Sequence, residues 1–166
     1  TQEAIDSGIP FIFEPYLCDE TRGVNGYIDI LIRIDYFIDM FNSSLLPKKI
    51  INSLIKEKKI FGNIYVIVDN KYSGLKINLD FSLNAKMKKY KIQLQVYHEL
   101  LKEFQPNLSQ YSFVLCPNIE RTIKKIKVRN TLKSIGFFDH QGKEVSEIND
   151  IISNAITWIQ DIKQNG

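Results

Sequence analysis

The stretch VNGYIDILIRID, residues 24 to 35, constrains the fold more than any other part of the chain. Ile28, Ile30, Ile32 and Ile34 alternate there with Asp29, Leu31, Arg33 and Asp35. A β-strand turns successive side chains to opposite faces, so this period of two puts the isoleucines on one face and the acids on the other. It predicts a strand over 24–35 with Asp29 on its polar face. GNIYVIVDNKYS, residues 62 to 73, predicts a second strand, with Tyr65, Ile67, Asp69 and Lys71 pointing one way and Val66, Val68 and Asn70 the other. IPFIFEPYLC, residues 9 to 18, reads as a third. Pro15 confines it to a sheet edge or a bulge, because proline donates no ladder hydrogen bond. DETRG at 19–23 reads as a turn.

Helical spacing appears elsewhere. From 85 to 104, Met87, Tyr90, Leu94, Tyr97, Leu101 and Phe104 recur at intervals of three and four, the stripe of an amphipathic helix, and Pro106 stops it. Ile50, Ile51, Leu54 and Ile55 predict a helix over 46–58, with Ser44 as N-cap, Pro47 in the first turn and a solvated charged run containing Glu57 at its end. YSFVLC, 111–116, reads as a buried strand, TIKKIKVR, 122–129, as a more exposed one, and FFDHQGKE as a turn. Ile148, Ile151, Ile152, Ala155, Ile156 and Ile159 mark a closing helix.

The order predicts an α/β fold around a mixed central sheet flanked by helices. A crossover through the 85–104 helix makes the strands on either side of it parallel neighbours. The length of 166 residues, 44% of them hydrophobic, fits one domain over 1–166, and a start at Thr1 rather than Met fits a piece of a longer polypeptide.

Lysine and arginine exceed the acids by 22 to 19, which permits a nucleic-acid partner without demanding one. Cys18 and Cys116 lie far apart, with no CxxC spacing and no histidine cluster, so a structural zinc or an iron–sulfur cluster lacks ligands. Two lone thiols fit a reducing compartment and small buried hydrophobes. No apolar stretch approaches the roughly 20 residues that span a bilayer. A soluble intracellular protein, cytoplasmic or nuclear, without a membrane partner, is the expectation.

An acid, any residue and a lysine occur three times, at Asp69–Lys71, Glu57–Lys59 and Asp161–Lys163. The second falls in the charged run and the third in the closing helix, which leaves the first. Asp69 and Lys71 share a strand face, and Asp29 projects from the strand before. If those strands pair, two carboxylates converge with an ammonium beside them, an oxygen-rich site of the kind that suits Mg²⁺ or Mn²⁺. Such an ion stabilises the charge that builds on a phosphodiester under attack.

GYIDIL (26–31), VIVDNKYS (66–73) and KIQLQVYHELL (91–101) together resemble the PD-(D/E)XK nuclease superfamily, and within it the RecB-like branch. The matching features are a glycine three residues before an acid, an acid-x-lysine and a glutamine-x-x-x-tyrosine. Here they fall in that order as Gly26/Asp29, Asp69/Lys71 and Gln93/Tyr97, over roughly residues 10–116. The resemblance implies a restriction-endonuclease-like αβββαβ core, with an insertion at about 40–60 and an extension over 120–164. It implies a deoxyribonuclease in repair, recombination or replication, RNA not excluded, or else a catalytically inactive module that binds nucleic acid or a helicase domain or subunit. Asp29, Asp69 and the backbone carbonyl of Asn70 would hold Mg²⁺ or Mn²⁺, and Lys71 would position the attacking water. Gln93 and Tyr97 would border the site and help hold the substrate or Lys71, although Tyr97 also belongs to the apolar stripe.

The family's upstream histidine or acid has no match. Both histidines, His98 and His140, lie downstream, so Glu14 or Glu3 is left to substitute, or a residue outside this sequence. His98 reads as a surface histidine. Lys86, Lys88, Lys89 and Lys91 are candidate phosphate contacts or a solvated face, and Arg121, Lys124, Lys125, Lys127 and Arg129 a basic strip open to the same two readings.

Overall fold

The computed structural model describes residues 1–41, 45–72, 74–117, 119–123, 126–130 and 135–165, with the backbone alone for 121–123 and 126–130. After a short helix α1 (Gln2–Asp6), the two N-terminal apolar segments fold back on each other as one antiparallel ribbon. Its first arm is β1 (Phe11–Phe13) and β2 (Tyr16–Asp19), and its second is β3 (Val24–Tyr27) and β4 (Ile30–Arg33). Pairing runs from Asp19↔Val24 to Tyr16↔Tyr27 at the tip and from Phe13↔Ile30 to Phe11↔Ile32 at the base, so one register holds throughout. Both arms break at one level. Glu14 takes φ 47 and donates its N–H to the Asp29 carbonyl at 2.9 Å, while Ile28 N–H donates to the Pro15 carbonyl at 3.2 Å. The expected single strands over 9–18 and 24–35 are thus each two strands separated by a kink. Pro15 sits in that kink, beside the edge strand β1.

Ile34 does not continue the strand. It opens a helix that the alternation hid, α2 (Ile34–Met40), followed by α3 (Lys48–Phe61). Pro47 stands just before the first turn of α3 rather than in it, and Ser44 lies outside the described residues. Next come β5 (Tyr65–Asn70), β6 (Leu75–Ile77), a 3₁₀ turn over Ala85–Met87, α4 (Lys88–Leu101) and β7 (Tyr111–Leu115). The chain continues through β8 (Ile119–Ile123), β9 (Ile126–Asn130), β10 (Ile135–Asp139) and α5 (Val145–Asn165).

The main sheet is mixed and five-stranded, in the order β1-β4-β5-β7-β10. The expected crossover is present: β5 and β7 pair in parallel and α4 joins them, while the other neighbours are antiparallel. β6, β8 and β9 form a smaller sheet, in which the segment read as one strand over 122–129 is the closing end of the β8–β9 hairpin. Phe137 and Phe138, read as part of a turn, belong to β10, where both are buried.

Both faces of the main sheet are covered. Leu31, Tyr65, Ile67, Val114 and Phe138 pack towards Leu94, Leu100 and Leu101 of α4 and Ile148 of α5. Ile32, Val66, Val68, Phe113, Ile135 and Phe137 pack towards Ile34 and Phe37 of α2 and Ile50, Ile51 and Leu54 of α3. A central strand buried on both sides needs apolar residues at odd and even positions alike. That corrects the two-faced reading of 24–35: Ile28 and Ile32 enter different cores. Glu57 is corrected as well. It is 8% exposed, accepts the Gln110 N–H at 3.1 Å, and has its carboxyl pushed up by burial. Among the described residues, no helix is long and apolar enough to cross a membrane.

Candidate metal and nucleic-acid site

The β4–β5 ladder brings the two predicted acids together. Ile30 pairs with Val68 across that antiparallel ladder, so the next step outward sets Asp29 opposite Asp69, and opposed residues share a sheet face. Asp29 lies in the kink before β4, half-buried, and its Oδ2 accepts the Asn70 N–H at 2.7 Å. Asp69 belongs to the same face of β5 as Tyr65 and Ile67, facing α4, and has no exposed surface. Lys71 follows, its N–H bonded to the Leu115 carbonyl at 2.8 Å so that the β5–β7 pairing carries past Asn70.

The Lys71 ammonium stands 2.7 Å from Asp69 Oδ2 and 5.3 Å from the centre of the Tyr90 ring. The ion pair is close but poorly directed, and neither Asp69 oxygen receives a well-aligned hydrogen bond. Burial raises the Asp69 carboxyl, Lys71 pulls it down, and the neighbouring Asp29 raises it again, to about 6. Lys71 offsets part of the cost of burying this carboxylate but leaves Asp69 Oδ1 without a donor, which a further cation would supply with a partner. The donor set suits a hard divalent ion, since Mg²⁺ is ordinarily held by one or two carboxylates and keeps several waters. Among the described residues, no group of three or more His, Cys, Asp or Glu side chains converges on one point.

Gln93 and Tyr97 are joined to each other, Gln93 Nε2 donating to Tyr97 Oη at 2.7 Å. Among the described residues Gln93 pairs with Tyr97 rather than with Lys71. Tyr97 lies against the ribbon: a Cβ at Gly26 would meet Tyr97 Cε1 at 3.4 Å. The glycine and tyrosine motifs therefore touch. Their contact seats β3 on α4 three residues before Asp29.

A cleft of about 520 Å³ opens over Asp29, lined also by Phe13, Glu14, Ile30, Asn70 and Tyr72. Glu14, one of the substitutes considered for the absent upstream acid, borders this cleft; Glu3 on α1 does not. A comparable cleft of about 570 Å³ lies elsewhere, beside β6 and β8, lined by Lys76, Asp80, Asn84 and Lys86 among others. There Asp80, Ser82, Asn78 and Asn84 already hydrogen-bond to one another, so it holds no strained pair like that at Asp69. Sequence reading missed the wall residues Phe13 and Tyr72, and it placed Tyr90 only in the apolar stripe. Tyr72 does carry a signal, as the residue directly after Lys71.

The proposed lysine group does not form one surface. Lys91 is 1% exposed and bonds both Glu144 carboxylate oxygens at 2.6 Å, which corrects its reading as a phosphate contact. Lys88 pairs with Glu147 at 2.6 Å, while Lys86 and Lys89 are exposed. Side chains of the strip at Arg121, Lys124, Lys125, Lys127 and Arg129 lie outside the described residues. His98 is also corrected. It stacks on His140 with ring centres 3.7 Å apart, and burial holds it down to about 4. Cys116 is buried and Cys18 half-buried, and neither forms a disulfide among the described residues. Compared with protein-family models, curated proteins and solved structures, the chain has no significant match.

Proposed function

We propose that the chain is a metal-dependent nuclease of the PD-(D/E)XK type, RecB-like, hydrolysing phosphodiester bonds of DNA in repair, recombination or replication. One observation carries the reading: Asp29 and Asp69 oppose each other on the α4 face of the β4–β5 pair, with the Lys71 ammonium 2.7 Å from Asp69. The succession α1, β1, β4, β5, α4, β7, with β5 and β7 parallel, supports a restriction-endonuclease-like core.

Asp29, Asp69 and the Asn70 carbonyl are the ligands for Mg²⁺ or Mn²⁺. When bound, the ion supplies Lewis-acid stabilisation of the phosphate charge and a more acidic water. Above a pH of about 6 Asp69 is ionised and ready to receive a cation. Lys71, 18% exposed, is placed to orient the attacking water and offset charge on the phosphate. Tyr97, held by Gln93, supports the ribbon that carries Asp29.

Purified protein should cut DNA with added Mg²⁺ or Mn²⁺ and stop in EDTA. Asp69→Asn and Lys71→Ala should each lower the rate about a hundredfold or more, the scale of losing a positioned catalytic group. Wild-type-like cleavage by either variant rejects the assignment.

A second reading has its own support, because Asp69 is sealed beneath Lys71 and no third acid joins the pair among the described residues. In it the chain is an inactive nuclease-like module that binds nucleic acid or a helicase domain or subunit. It predicts binding without turnover across a full metal titration on DNA and RNA.

A further inference from the structure

The cleft over Asp29 is walled by two large exposed rings. Phe13, at the end of edge strand β1, is 69% exposed, and Tyr72, two residues past β5, is 92% exposed. Among the described residues neither takes part in an aromatic or cation–π contact. Their neighbours differ: Tyr16 and Tyr27 lean on each other at 5.1 Å, and Tyr36 is covered by Phe11 and Arg33. A single exposed ring is ordinary on a protein surface. Two at the mouth of one cleft, with two acids, Glu14 and Asp29, and an asparagine on its lining, are a specific arrangement.

We propose that Phe13 and Tyr72 are a stacking platform for unpaired bases, which makes single-stranded nucleic acid the substrate class of this site. The placement of the scissile phosphate over Asp29 rests on the nuclease reading; the stacking does not. Every base presents a π-face, so stacking on an aromatic side chain is strong and tolerant of sequence. In a duplex those faces are already occupied, and the rings would meet only sugars and groove edges. A cleft of about 520 Å³ is in the range that holds one small ligand, the size of a single splayed nucleotide. Among the described residues no lysine or arginine lines the cleft, which makes ring stacking, rather than phosphate neutralisation, the main source of affinity, so binding should depend only weakly on salt.

The test is fluorescence anisotropy in EDTA with a short labelled DNA strand, the same strand as RNA, and its blunt duplex. Wild type should bind either strand more tightly than the duplex. Phe13→Ala and Tyr72→Ala should each weaken strand binding about tenfold and leave duplex binding unchanged. Phe13→Tyr and Tyr72→Phe, which keep the ring, should restore it. Both side chains are exposed, so the variants retain the fold, and circular dichroism verifies this. Equal losses on strand and duplex, no loss on either, or no nucleic-acid binding at all would overturn the proposal. Cleavage assayed in parallel with Mg²⁺ separates the two readings. Ring-dependent strand binding without turnover sinks the nuclease and spares the platform; turnover that ignores both rings does the reverse.

Discussion

At the scale of the residue, Asp69 is where stability and chemistry conflict. Its folded pKa of about 6 exceeds the ordinary 3.8, so between these values the folded state binds more protons than the unfolded chain. Stability from this group is therefore full below about 3.8 and falls as pH rises through 6. The full shift is worth about 3 kcal/mol, since one unit is 1.36 kcal/mol. Asp69→Asn removes the charge and gives up the Lys71 pairing, so the variant should be about 2 kcal/mol more stable than wild type at pH 8, with no gain at pH 3. Urea unfolding at the two values checks this. On the proposed metal-site reading, Mg²⁺ should raise the melting temperature of wild type and leave that of the variant unmoved, because only the wild type would keep both proposed carboxylate ligands.

Among the elements, α4 and α5 are joined through a buried lysine. Lys91 is sealed against Glu144, a partner that is itself half in water. Glu144→Gln leaves an ammonium buried without its counter-charge and should cost about 2 kcal/mol, whereas Lys91→Met, which keeps the length and drops the charge, should be close to neutral. Chemical denaturation of the two variants and their double tests this. The elements also show what could be read from the chain alone. β5, α4 and β7, and the parallel crossover they make, were legible because α4 has a long apolar stripe and β5 an unbroken apolar run. The site pair Asp29/Asp69 was legible for the same reason, as a spacing on neighbouring strands. α2 was not, because Ile34 continues the alternation of β4 while the backbone turns helical beneath it. Lys91 and Glu57 were misread as surface, since a charge run gives no sign of which member finds a buried partner. Phe13 and Tyr72 come to line one cleft with Asp29 only through the kink at Glu14 and the end of β5, which local pattern does not encode.

For the whole molecule, acid response is the sum of two opposed parts. His98 is held down to about 4 by burial, and His140, donating to Gln95 and accepting from Ser112, lies well below its ordinary value. The unfolded chain therefore binds more protons between about 4 and 6.5, so these histidines take stability away as pH falls through that window. Asp69 adds stability over nearly the same interval. Two histidines outweigh one carboxyl over this interval, so wild type should lose melting temperature from pH 7 to 5, and Asp69→Asn, which lacks the offsetting group, should lose more. Thermal melts of both across that range are the measurement.

The bent ribbon sets which changes in length the protein can absorb. Residues added at the 20–23 tip would only extend the far end, where the chain already turns, so insertions there should leave Asp29 in place. A single residue added inside β4 would turn every side chain before it to the other side of the sheet, sending the Asp29 carboxylate towards α3 and away from its counterpart. Evolution is free to vary the tip of this hairpin and is held to the residue count within the paired lengths of β4 and β5.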